Sequence, residues 1–133
     1  MKVLIFDTET TGLPTRLGYD KYYDFRELKY YDDSRIVSIA WNFYDNFNLI
    51  NSSYYIVKPK DFIIDNTSIA CKINKITNEI ANKDGIDIED IISTLHKYLY
   101  ECDVIVAHNL LFDKNILLSE LSRYKREDLI QLF

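Results

Sequence analysis

Two carboxylates, Asp7 and Glu9, stand one residue apart just beyond the apolar run at residues 3–6. If residues 2–7 form a strand, alternation puts both acids on the face shared by Val3 and Ile5. Like charges that close raise each other's pKa or recruit a cation, and magnesium or manganese with oxygen ligands is the natural one. The competing reading makes both acids loop residues that cap backbone amides. Asp113 adds a third carboxylate. If residues 110–124 are helical, Ile116 at i+3 and Leu117 at i+4 place Asp113 against an apolar face. A buried carboxylate needs a partner. Three acids at the ends of core elements make a candidate divalent-metal cluster, of the kind that activates a water and stabilises the leaving oxygen in phosphodiester hydrolysis. Their spacing alone does not bring the three together.

The elements that must position them follow from periodicity. Residues 2–7 read as a buried strand, closed by Gly12 and Pro14. Residues 15–34 form a polar, Tyr-rich insertion without a clean period, with Tyr19, Tyr22, Tyr23, Tyr30 and Tyr31 among charged neighbours. Two β-rich runs, 35–44 and 49–57, flank a turn at Asp45-Asn46 and predict an antiparallel hairpin. Asn66 or Thr67 caps a short helix through Ile73, and Thr77 caps another that stops before Gly85. Asp87 opens the most regular helix, with Asp90 placed as in a capping box and Ile88, Ile91, Ile92, Leu95 and Leu99 on one face. His96 sits at the edge of that face. Residues 103–107 read as a short buried strand before the final helix. The expected fold is α/β, with a mixed sheet flanked by helices.

Composition narrows the function. Sixteen Lys and Arg against twenty-one Asp and Glu give a net charge of −5. That argues against a protein that coats nucleic acid by bulk positive charge, and leaves room for an enzyme that meets it at one metal-bearing site. The N-terminal apolar run is four residues long and ends at Asp7, so neither a signal peptide nor a membrane span is expected. The expected location is intracellular: cytoplasm, nucleoid or nucleus, in the host cell if the source is viral. Cys71 and Cys102 read as ordinary thiols.

The run Phe6-Asp7-Thr8-Glu9-Thr10-Thr11-Gly12 resembles the first motif of the DEDD (DnaQ-like) family of 3′ to 5′ exonucleases, and His108-Asn109-Leu110-Leu111-Phe112-Asp113 resembles the second. Residues 35–41, Ile76-Thr77 and residues 104–107 resemble the stretches between, so only the loop at 18–33 falls outside the likeness. The resemblance implies a ribonuclease H-like fold, and phosphodiester hydrolysis at the 3′ end of single-stranded DNA or RNA. It implies Asp7, Glu9 and Asp113 as catalytic metal ligands for Mg²⁺ or Mn²⁺, two ions in a complete domain, with Asp7 bridging them. Thr10, Thr11, Leu13, His108 and Asn109 are its substrate-contacting positions, Leu13 as a wedge against the terminal base. The implied partner is a single-stranded 3′ end, with a polymerase domain or subunit left open and no membrane.

Two departures accompany this resemblance. Asn74 stands where several relatives carry a His that approaches the substrate. The family's third motif, a His acting as general base and an Asp five residues later, does not occur in the twenty residues after Asp113. His108 and Asp113 are also five apart, but Asn109 and Phe112 identify them with the second motif, so His108 reads as a local structural residue rather than the base. Residues 129–133 are apolar and end abruptly, so the chain is expected to be the N-terminal two-thirds of one exonuclease domain, spanning 1–133, with its C-terminal part missing. A catalytically inactive nuclease-fold binding module is the alternative. A phosphatase of the haloacid dehalogenase type would want Asp where Glu9 stands and leaves 108–113 without a role.

Overall fold

The computed structural model describes all residues, Met1–Phe133. Strand β1 (Lys2–Thr10) is central in a four-stranded sheet with β4 (Ile36–Asp45), β5 (Asn48–Ile56) and β6 (Val104–Val106), in the order β5-β4-β1-β6. The sheet is mixed as expected, since β1 pairs antiparallel with β4 and parallel with β6. A small hairpin, β2 (Arg16–Gly18) and β3 (Lys21–Tyr22), stands apart from it. Five helices follow the order α1 (Ile69–Asn74), α2 (Asn78–Asp84), α3 (Ile88–Glu101), α4 (Leu110–Arg123) and α5 (Glu127–Ile130). No helix is long and apolar enough to cross a membrane.

Alternation along β1 sorts the chain into two faces. Leu4, Phe6, Thr8 and Thr10 are buried, and the register sets Leu4 opposite Phe43 and Phe6 opposite Trp41. These side chains pack with Ile91, Ile92 and Leu95 of α3, Ile116, Leu117 and Leu121 of α4, and Leu129 beside α4, in one cluster. Each fully buried Leu or Ile contributes about 1.5–3 kcal/mol. The other face is half open, with Ile5, Val104 and Val106 each about 40% exposed. The expectation that β1 and β6 are buried strands is therefore corrected. Helices cover only one of their faces there, and β6 is a sheet edge.

Thr77 caps α2 by accepting from the Ile80 amide, but α1 is capped by Ser68 rather than Asn66 or Thr67. Asp65 takes the Thr67 amide and hydroxyl instead, so Thr67 belongs to the preceding turn. Asp87 caps α3 through the Glu89 amide, and no side-chain bond returns from Asp90, so the capping box is not formed. The β4–β5 turn falls one residue late, at Asn46 (φ 47°) and Phe47 (φ 70°), the two positive angles of a tight hairpin loop. The end of α2 passes so near β5's extension that a Cβ on Gly85 would lie 2.6 Å from the Lys58 amide nitrogen, which makes room for the bridge between Val57 and Ile86.

One buried ion pair joins sheet to helix. Arg35, just before β4, meets Glu120 of α4 through Nε–Oε1 at 2.8 Å and Nη2–Oε2 at 3.3 Å, with both side chains at most 4% exposed. Arg35 also reaches Asp61 at 2.9 Å and lies over the Phe62 ring at 4.5 Å. Burial alone would lower its pKa, but hydrogen bonds and charge from Glu120 and Asp61 raise it, so the guanidinium stays charged. Arg35→Ala should cost about 3–5 kcal/mol in urea unfolding by stranding Glu120, whereas Arg35→Met with Glu120→Leu should recover most of that loss. Equal losses in the two variants would contradict this account.

Candidate functional site

The site is built at the C-terminal end of β1. Asp7 and Glu9 point to the open side of the sheet and are exposed, while Thr8 between them faces the core. The sequence reading placed the acids on the face of Val3 and Ile5 correctly, but that face admits solvent and does not by itself forbid charge. Asp113 differs. It is 3% exposed on α4, on the stripe that also carries Ile116, Leu117 and Glu120.

Asp113 has a partner that spacing did not suggest. Its Oδ1 accepts from the Thr8 amide at 3.1 Å and from the Thr8 hydroxyl at 2.7 Å. The reason lies in strand lengths. β6 pairs with β1 only as far as Ile5, so the Thr8 amide lies beyond the last β1–β6 pair, and the helix after β6 brings a carboxylate to it. The threonine between the two acids is thus the functional-site residue that motif reading missed. A polar residue on the core face of a strand was the available signal.

The three acids feel one another. Although Glu9 is exposed, partial loss of solvent beside the cleft wall raises its pKa, and the charges of Asp7 and Asp113 raise it further. Asp113 is likewise raised by burial, opposed by the Thr8 hydrogen bonds and reinforced by Asp7. An all-oxygen donor set that repels itself fits a hard divalent cation. The side chains are not, however, gathered into a group of three around one point as they would be on a bound ion.

Two clefts flank the acids. Asp7 and His108 line a hollow of about 620 Å³ over Ile5, Asn42 and Tyr54. His108 is exposed and its ring makes no hydrogen bond within the chain, so its local structural role finds no support there. Glu9 lines a second hollow of about 600 Å³ with Leu13, Ile69, Ile73 and Phe112. Ile69 and Ile73 are 77% and 73% exposed on α1, an apolar wall absent from the sequence reading. Their i, i+4 spacing, opposite buried Cys71, was its signal.

The loop after β1 spends its polar groups internally. The Thr11 amide donates to Arg35 O at 2.8 Å and its hydroxyl to Asp33 O at 3.0 Å, while the Thr10 hydroxyl donates to Gly12 O. Thr10 and Thr11 therefore shape the loop, and the Thr11 amide and both hydroxyls are already committed as donors. Asn74 holds α1 against the same loop, its Nδ2 donating to Thr10 O at 3.1 Å and its Oδ1 accepting from Ile76 N. Asn109 is exposed before α4, and its side chain caps nothing.

No family model and no curated protein matches this sequence. Solved structures of exonuclease I share its fold. Escherichia coli exonuclease I in complex with a dT13 oligonucleotide superposes with a TM-score of 0.65 at 21% identity, over 93% of this chain and 24% of that one. The zinc-bound form of the E. coli exonuclease I–single-stranded DNA complex gives 0.65 at 20%, over 93% and 23%. A moderately thermophilic exonuclease I from Methylocaldum szegediense gives 0.63 at 22%, over 86% and 22%. At such identities the likeness is one of fold, and the chain spans about a quarter of the length of these proteins.

The raised pKa values give a pH signature. For Glu9 and Asp113 the folded state holds its proton more tightly than the unfolded chain, so their contribution to stability is full below the ordinary values of 4.5 and 3.8 and is lost as pH rises through the raised ones. Thermal unfolding against pH should show this fall shrinking in Asp113→Asn. At neutral pH Asp113→Ala should lie about 1–3 kcal/mol below Asp113→Asn, which keeps an acceptor for Thr8. Indistinguishable Ala and Asn variants would mean that the Thr8 contact carries no weight.

Proposed function

We propose that this chain carries the first two motifs of a metal-dependent 3′ to 5′ exonuclease domain that hydrolyses phosphodiester bonds at the 3′ end of single-stranded DNA or RNA. The observation that carries this reading is the set of three mutually repelling carboxylates at the end of β1, beside an apolar cleft, on the fold of exonuclease I. Asp7, Glu9 and Asp113 would hold Mg²⁺ or Mn²⁺. Such an ion, when bound, polarises the phosphoryl oxygen and lowers the pKa of the attacking water. The chain itself supplies position. Thr8 fixes the Asp113 carboxylate, and Leu13, Ile69 and Ile73 offer an apolar slot for the terminal base.

The general base and fourth ligand of the resembled family have no counterpart in residues 1–133. A second reading, a nuclease-fold module that binds nucleic acid without cutting it, is favoured by one observation: Asp113 Oδ1 is already taken by the Thr8 amide and hydroxyl.

Metal titration separates the two. Mn²⁺ followed by electron paramagnetic resonance should bind this chain, and Asp7→Ala should lose that binding while keeping its fold. An Asp7→Ala protein that unfolds yet binds Mn²⁺ as before would make the acid structural. With a 3′-labelled oligonucleotide, Mn²⁺ and an EDTA control, the chain ending at Phe133 should release mononucleotides at least about a hundredfold more slowly than a chain extended by the His and Asp, the factor a general base alone supplies. Equal rates would place the base among these residues, with His108 first in line.

A further inference from the structure

The insertion between Pro14 and Ser34 divides into two halves of opposite character. Its returning half is packed. Tyr31 is fully buried and donates to Tyr23 O at 2.6 Å, Tyr23 and Tyr30 stack with centroids 3.6 Å apart, and Phe25 and Tyr30 lie on the main core. Arg26 pairs with Glu127. The β2–β3 hairpin that opens the insertion does none of this. Tyr19 is 88% exposed and Leu17 63%. Arg16 and Lys21 are exposed, and neither takes part in an ion pair. Asp20 at the turn holds φ 52°, a left-handed angle that Asp tolerates better than most residues, so its presence answers to the turn.

The hairpin springs from the lip of the Glu9 cleft. Gly12 lines that cleft and passes so close to the root of the insertion that a Cβ there would stand 2.9 Å from Asp33 O. The Thr15 amide donates to Tyr30 O at 2.9 Å and closes the root. Tyr19 follows Gly12 by seven residues, which limits its distance from the cleft to about 25 Å of extended chain. A strand whose 3′ end sat in the cleft would run its next nucleotides over this range.

We propose that the β2–β3 hairpin is a second contact for single-stranded nucleic acid, with Tyr19 stacking on a base upstream of the 3′ end and Arg16 and Lys21 meeting the adjoining phosphates. The proposal rests on the reading of the cleft as a 3′-end site. An aromatic ring offers sequence-tolerant stacking because every base has a π-face. In a chain of net charge −5, a polyanion is held only where cations stand locally unneutralised. The hairpin combines both features within about 25 Å of the cleft's lip.

The test compares this chain with Tyr19→Ala and with the double variant Arg16→Ala, Lys21→Ala, all at exposed positions. The probes are a thymidine dinucleotide with a free 3′ end, followed by NMR shifts, and a fluorescent ten-nucleotide oligothymidylate, followed by anisotropy, both carrying phosphorothioate linkages to resist hydrolysis and both with Mg²⁺ present. Tyr19→Ala should weaken the long strand about five- to a hundredfold, and the dinucleotide hardly at all. In the double variant the log–log salt dependence of long-strand binding should become shallower by about 1.4, two phosphate contacts' worth for a single strand. Unchanged long-strand affinity and salt slope in both variants would overturn the hairpin's role while dinucleotide binding kept the cleft reading. Hairpin-dependent binding of the long strand without dinucleotide binding would support the hairpin contact and remove the cleft as its neighbour. Binding of neither probe would overturn both and leave the exposed tyrosine to a protein partner.

Discussion

The depth at which α4 lies on the sheet depends on the buried pair between Arg35 and Glu120. Two opposite charges removed from water can be tolerated only in good geometry, and the doubly bonded guanidinium, with Asp61 and Phe62 around it, supplies that geometry. Glu120 lies seven residues, two helical turns, after Asp113 on the same stripe of the helix. Fixing one therefore fixes the other, and Asp113 arrives at the Thr8 amide because Glu120 is held at Arg35. Packing of Ile116, Leu117 and Leu121 alone would tolerate slippage, since apolar contacts are not directional.

The same constraint links the candidate site to the insertion. Arg35 is where the chain returns to the sheet, its amide donating to the Thr11 hydroxyl and its carbonyl accepting from the Thr11 amide. The loop that follows Glu9 and lines the apolar cleft is thus tied through one residue to α4, which carries the third acid. Electrostatic stress among the carboxylates is borne by a scaffold whose bonds are directional and largely out of water.

Much of this was legible in the residues. Alternation carried on from a strand at 2–7 placed Asp7 and Glu9 on one face, and i+3 and i+4 neighbours buried Asp113, because both inferences need only backbone periodicity. Openness of the sheet face was not legible, since a strand's own sequence does not state what covers it. Thr8 as the partner of Asp113 depends on β6 stopping its pairing early, a matter of relative strand length. Arg35 with Glu120 is an encounter across 85 positions, which no local pattern announces. The β2–β3 hairpin escaped because runs of three and two residues are too short for a period to show.

The bond closing the root of the insertion, from the Thr15 amide to the Tyr30 carbonyl at 2.9 Å, also bears on how such a chain can change over generations. Two ends already side by side can be joined by many lengths of polypeptide, because closure entropy grows only slowly with loop size. The segment between them is open to lengthening, shortening or exchange without disturbing strand register or the acids. Sequences that share this sheet can diverge most at that place, acquiring new surface chemistry beside a site they leave intact.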